Sequence, residues 1–236
     1  MTVLQQGGLV TAILVFIIFS GCWIREIRKR YKAKLTAGAW FNAAGFGFFP
    51  AMAAWKIFEP YCGLGTDGKK LFDPLGPIDH LTRGERFAPD RLELAVTLAA
   101  FIAIVIWLMV RKQPLPGNGD LFLTVICVWS AARITTESLR EFTARYEGVS
   151  LIMIAAVTAE IVTMAIWTVR RGRKHKNAAM TLLEWTAILA CGVISILQDA
   201  DILSMGSSIA DLAVTAGCSV LSAALILSAG KDSREA

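Results

Sequence analysis

Charge is scarce in this chain: 18% of its residues are Asp, Glu, Lys or Arg, and 55% are hydrophobic. An ordinary soluble domain carries about a quarter charged residues, so this balance excludes one and points to a polytopic membrane protein. Histidine is scarcer still. Neither His80 nor His175 has a partner at metal-ligand spacing, so neither a metal site nor a cofactor is expected. Cys22, Cys127, Cys191 and Cys218 lie inside apolar runs, where a free thiol behaves as a small hydrophobe, and only Cys62 sits in a loop. That distribution excludes a disulfide framework. No cation precedes the first apolar run. Phe19-Ser20-Gly21-Cys22 therefore looks like a lipoprotein cleavage box but lacks the leading positive charge a signal peptide needs, and the segment is expected to stay as a span. The stretch Gly63 to Lys69 (GLGTDGK) lacks the Lys-Ser/Thr ending and preceding strand of a phosphate loop. There is no internal repeat and no low-complexity tail.

What the chain does have is long apolar runs. Seven are near the 20 residues needed to cross the hydrocarbon layer: about 7–24, 37–58, 91–110, 119–139, 150–169, 178–197 and 208–229. The net charge of +5 is no nucleic-acid signal, because the basic residues sit in short loops. Arg25, Arg28, Lys29, Arg30, Lys32 and Lys34 follow the first run, Arg111 and Lys112 the third, and Arg170, Arg171, Arg173, Lys174 and Lys176 the fifth. Lys231 and Arg234 are in the tail. The alternate loops are balanced or acidic, with Asp199 and Asp201 uncompensated at 198–207. The positive-inside rule then predicts seven spans with the N-terminus outside and the C-terminus inside. Residues 59–90, rich in Gly, Pro and Asp, are expected to form a small extracytoplasmic cap, mostly loop with a short strand pair.

One run differs from the rest. Gly119 to Glu141 is apolar in its first half, and its second half places Arg133, Glu137 and Arg140 at i, i+4 and i+7. A continuous helix would put all three on one face, in the outer half of the span. An ionised side chain inside a span costs about 2.5–3.5 kcal/mol on insertion scales. Arg133 is spaced to pair with Glu137, which leaves Arg140 near the water boundary for something anionic. The cluster reads either as a site wall or as an inert ion pair between helices.

Other residues have two readings each. Gly7 and Gly8 beside Gln6 permit a re-entrant bend or close helix packing. The second run, with Gly38, Gly45, Gly47 and Pro50, is expected to be irregular. Lys56 at its outer end either snorkels to the interface or adds a cation to the outer site. Glu160 lies near mid-membrane with no partner that spacing can name. Glu184 falls near the inner side and Asp211 near the outer side.

Residues 6–170 resemble the C-terminal five spans of the prolipoprotein diacylglyceryl transferase family. The specific match is Gly119…Arg133-Ile-Thr-Thr-Glu137-Ser-Leu-Arg140. Gln6-Gly7-Gly8-Leu9 is similar to the family's His-Gly-Gly-Leu segment, and Pro89-Asp-Arg-Leu92 to its Pro-Thr-Gln-Leu-Tyr-Glu, with Glu93 one position early. The Gly-Arg-x-x-Asn-Phe…Glu-x-x-Gly pattern falls on Ala53 to Gly65. It keeps Phe58 and Gly65 but has Ala54 for the Arg and Cys62 for the Glu. Gln6 stands where the family has a histidine and cannot act as a general base. Lys56 would replace the missing cation without the bidentate fork of Arg.

The resemblance implies a diacylglyceryl-transferase-like domain over 1–170, two additional helices and a tail over 171–236, and a bacterial plasma-membrane location. It implies an integral membrane transferase that takes phosphatidylglycerol, or a similar anionic phospholipid, from the outer leaflet. Arg133 and Glu137 would be catalytic; Arg140, Gln6, Gly7, Gly8 and Lys56 would bind substrate; a lipoprotein precursor would be the acceptor. A lipid-binding accessory subunit without turnover is the alternative. A small transporter is less favoured, because no matching pair of broken helices suggests inverted repeats.

Overall fold

The computed structural model describes residues 3–31, 36–58, 82–83, 86–87, 89–110, 118–137, 140, 145–146, 148–171, 178–203 and 208–235. Among them are seven long helices: α1 (Val3–Tyr31), α2 (Ala37–Phe58), α3 (Pro89–Val110), α4 (Asp120–Glu137), α5 (Leu151–Arg171), α6 (Ala178–Asp199) and α7 (Ser208–Glu235). They fall where the apolar runs are. A chain crossing hydrocarbon must satisfy each N–H and C=O within its own segment, so long apolar runs become helices. Five are long and apolar enough to cross a membrane: Gln6–Lys29, Arg91–Val110, Leu151–Arg170, Ala178–Asp199 and Ala210–Gly230. Much of their apolar surface is outward, as at Ile17, Ile18, Ile106, Leu182 and Val220, which suits contact with lipid tails. The chain is an all-α membrane protein. The remaining two helices are α2, which contains Asn42 and Lys56, and α4, which carries Asp120, Arg133 and Glu137.

Two-residue antiparallel pairs complete the described structure. β1 (Thr82–Arg83) pairs with β2 (Arg86–Phe87), and β3 (Arg145–Tyr146) with β4 (Val149–Ser150). The first lies in the stretch expected to be a cap with a short strand pair. The rest of that stretch, including Cys62, Gly65, Phe72 and His80, is outside the described residues. Gly148, at φ +89°, turns the second hairpin, a backbone state that glycine enters without strain.

The chain divides into two compact units, Met1–Thr66 with Asp90–Ile126, and Asp67–Pro89 with Cys127–Ala236. The division falls inside α4. In the first unit, α1 runs unbroken through Gly7 and Gly8 and packs along α2. A Cβ on Gly8 would meet the Phe58 side chain at 2.8 Å, and one on Gly47 the Phe16 carbonyl oxygen at 2.8 Å. These glycines therefore let two helix backbones approach closely, the packing reading of Gly8. Phe19, Trp23, Phe46 and Phe101 stack edge-on and tilted at 4.9–6.2 Å between α1, α2 and α3. α2 carries Pro50 without ending, although proline removes one backbone donor.

The start of α4 is fixed from α2. Gly119 (φ +80°) turns the chain into the helix. The fully buried Asn42 then accepts hydrogen bonds at Oδ1 from Leu121 N (2.9 Å) and Phe122 N (3.4 Å), capping first-turn donors that α4 itself leaves open. Asn42→Leu is expected to cost about 1–3 kcal/mol, because those buried N–H groups lose their acceptor. Urea–detergent unfolding followed by Trp fluorescence measures it. One turn on, a Cβ at Gly45 would lie 2.8 Å from Phe122 Cα. Backbone cannot yield as a side-chain tip can, so Gly45→Val is expected to lower stability by about 1–3 kcal/mol in the same measurement.

The second unit packs α5, α6 and α7 on one another, with the last turns of α4 joined to them. Ile134 of α4 is buried with Met153, Ala156 and Val157 of α5, and Ile196 of α6 packs against this cluster. Gly230 of α7 lies under the Trp167 indole, where a Cβ would meet the ring at 2.7 Å.

Candidate functional site

The polar centre of the second unit is built at the end of α4. The helix stops at Glu137, so Arg140 is not on the next turn of the same helical face, as the i, i+7 spacing predicts. Its backbone N–H donates to the Glu137 carbonyl at 3.0 Å, and its guanidinium lies beside the Glu137 carboxylate. Arg140 Nε is 3.7 Å from Glu137 Oε2, and Arg133 Nη2 is 3.1 Å from the same oxygen. Two guanidiniums thus converge on one carboxylate oxygen. Glu137 is 0% exposed and Arg140 3%, whereas Arg133 keeps 11% of its side chain open. Arg133 is the accessible edge of the cluster.

The other Glu137 oxygen is held by a residue that spacing could not nominate. Ser150 donates from Oγ to Glu137 Oε1 at 2.6 Å. Ser150 also caps α5: its Oγ accepts from Ile152 N at 3.2 Å, the N-cap geometry expected of a serine just before an apolar helix. Its own N–H donates to Asp199 Oδ2 at 2.7 Å. Asp199, in sequence a loop acid with no cation, is the last residue of α6 and wholly buried. It lies at the N-terminus of α5, where the helix dipole favours a negative charge. The readable trace of this arrangement is Ser150 itself, a polar residue directly before an apolar run.

The other expected site residues belong to the first unit. Gln6 and Gly7 are exposed on α1, and nothing approaches the Cβ position of Gly7. Gly8 is buried against Phe58 and Trp55. Lys56 does not snorkel outward. It is buried and ion-paired with Glu93 of α3, so its charge is offset within this unit. Among the described residues, no group of three or more His, Cys, Asp or Glu side chains is placed to hold a metal ion.

No family model, curated protein or solved structure matches the chain.

Glu137 accepts a hydroxyl on one oxygen and ion-pairs with two cations through the other, so it holds these groups in place. The two guanidiniums are held at a position fixed by the end of α4, the cap of α5 and the end of α6. Charge fixed in this way is suited to an anion with oxygen acceptors, which a guanidinium can bind through two parallel N–H groups.

Proposed function

We propose that this chain is an integral membrane transferase of the diacylglyceryl-transferase type that holds an anionic phospholipid headgroup at Arg133 and Arg140. The observation that carries this reading is the convergence of both guanidiniums on one oxygen of buried Glu137. A guanidinium can grip two oxygens of a phosphodiester through parallel N–H groups. As the glycerol carbon passes to a nucleophile, its bond to the phosphate oxygen breaks and negative charge grows on the departing headgroup. A guanidinium already fixed there favours that state over the bound substrate. In this reading Glu137 positions Arg133.

In this proposal α2 and α4 also cross the membrane. That gives seven spans, the N-terminus outside, the C-terminus inside, and the Arg133 end of α4 at the outer leaflet of a bacterial plasma membrane. Phosphatidylglycerol would be the donor, and a thiol of a secreted lipoprotein precursor the acceptor. A second reading, a lipid-binding subunit without turnover, is favoured by the Ser150 bond and the ion pairs that hold Glu137 and by Gln6 in the histidine's place. The purified full chain, in vesicles containing labelled phosphatidylglycerol, separates the two. Transfer of label to a cysteine-containing lipobox peptide supports the enzyme. Headgroup-selective binding with no transfer supports the subunit, and neither binding nor transfer removes both.

A further inference from the structure

A second polar feature lies deeper in the same unit, apart from the arginines. Glu160, in the middle of α5, is 2% exposed. Ser222 of α7 donates from Oγ to its Oε2 at 2.5 Å, while its Oε1 has no hydrogen-bond partner among the described residues. A buried carboxyl left half-satisfied costs stability that a Leu or Met at this position would not. Cys127 of α4 and Cys191 of α6 lie near it.

The face of α7 that meets Glu160 is lined with hydroxyls. Thr215, Ser219 and Ser222 follow at i, i+4 and i+7 and are all buried, covering about 10 Å of helix. Ser219 Oγ donates to the Thr215 carbonyl at 2.8 Å. Thr215 Oγ1 lies 2.6 Å from Gln198 Oε1 and 2.9 Å from the Asp211 carbonyl oxygen. Gln198 adjoins Asp199 at the end of α6, and its Nε2 is buried with no hydrogen-bond partner among the described residues. A line of hydroxyls therefore leads from the α6–α7 end of the unit to a carboxyl at mid-helix, and an under-satisfied polar group stands at each end.

We propose that Glu160 is a proton-binding site, loaded and unloaded along the Thr215–Ser219–Ser222 face of α7. Each hydroxyl has one donor and two acceptor positions, so it takes a proton on a lone pair and releases its own. Among the described residues no hydroxyl of this face bonds to the next, so the path requires bridging water between turns. At the end of the path Glu160 carboxylate plus one proton gives the neutral acid, and Ser222 turns from donor to acceptor as Oε2 becomes the donor. The reverse steps return the proton. No electrons move. This site is independent of phospholipid binding at Arg133 and stands if that reading fails.

Infrared spectroscopy of the full chain in phosphatidylglycerol vesicles tests the proposal. The C=O stretch of a protonated carboxyl should disappear as pH is raised, return on acidification, and shift in D2O. Glu160→Gln should remove it, and Ser222→Ala should move its frequency, which keeps the assignment possible if the Gln variant does not fold. Thr215→Val with Ser219→Ala should leave the band in place but abolish its rapid response to a pH jump. Three results would overturn the proposal: a band that never responds to bulk pH or D2O, a response unchanged in the double variant, or a band removed by sodium at constant pH, which would make this a metal-cation site.

Discussion

Glu137→Ala is expected to lower the unfolding free energy by about 3–5 kcal/mol, because it leaves two guanidiniums around a buried position without their shared carboxylate. Ser150 loses its acceptor in the same step, so the cap of α5 and the contact to Asp199 are strained together. Glu137→Gln should recover little of this. If its amide oxygen keeps the Ser150 bond, its NH2 group faces the two guanidiniums as a third donor. Replacing Arg133, Glu137 and Arg140 together by Leu should restore most of the lost stability, since an apolar substitute for a whole buried charge group is often neutral or better. Urea–detergent unfolding midpoints of the single and triple variants test this directly. A triple variant no more stable than Glu137→Ala would mean that the cluster is not an ion-paired unit.

The second large effect concerns Arg133. Arg133→Ala is expected to reduce lipid transfer about 10²–10³-fold, the loss seen when one fixed donor to a developing negative charge is removed. Arg133→Lys should fall between, since an ammonium keeps the charge and loses the planar fork that grips two phosphate oxygens. Arg140→Ala should have a smaller effect on turnover, because Arg140 is farther from the shared oxygen and more deeply buried. Rates of label transfer at saturating phosphatidylglycerol, compared with vesicle binding, divide the loss between chemistry and affinity. Equal turnover in wild type and Arg133→Ala would remove Arg133 from the reaction. The Leu triple variant adds a control: a stable fold without phospholipid selectivity ties binding to these charges and separates it from the integrity of the unit.

Much of the fold is legible in the sequence. Every apolar run became a helix, and Arg133 and Glu137 were paired by their i, i+4 spacing. Arg140 shows where this kind of reading stops. Spacing assigns it to a helical face only if the helix continues, and α4 ends three residues earlier. Lys56 shows a second limit, because a cation near a span end looks alike whether it reaches water or, as here, meets Glu93 on another helix. Glu160 stood out as a carboxyl in an apolar run, but its partner Ser222 was one of many small polar residues on α7.

The sequence by itself determined the membrane class of this protein and the location of its helices, because hydropathy over about 20 residues and the need to satisfy backbone groups in lipid are local properties. Only the tertiary structure decided which polar side chains share a site. Glu137 meets Ser150 across 13 positions, Ser150 meets Asp199 across 49, and Ser222 meets Glu160 across 62. Contacts of that range follow from how helices pack and where they end, and no period along the chain records them.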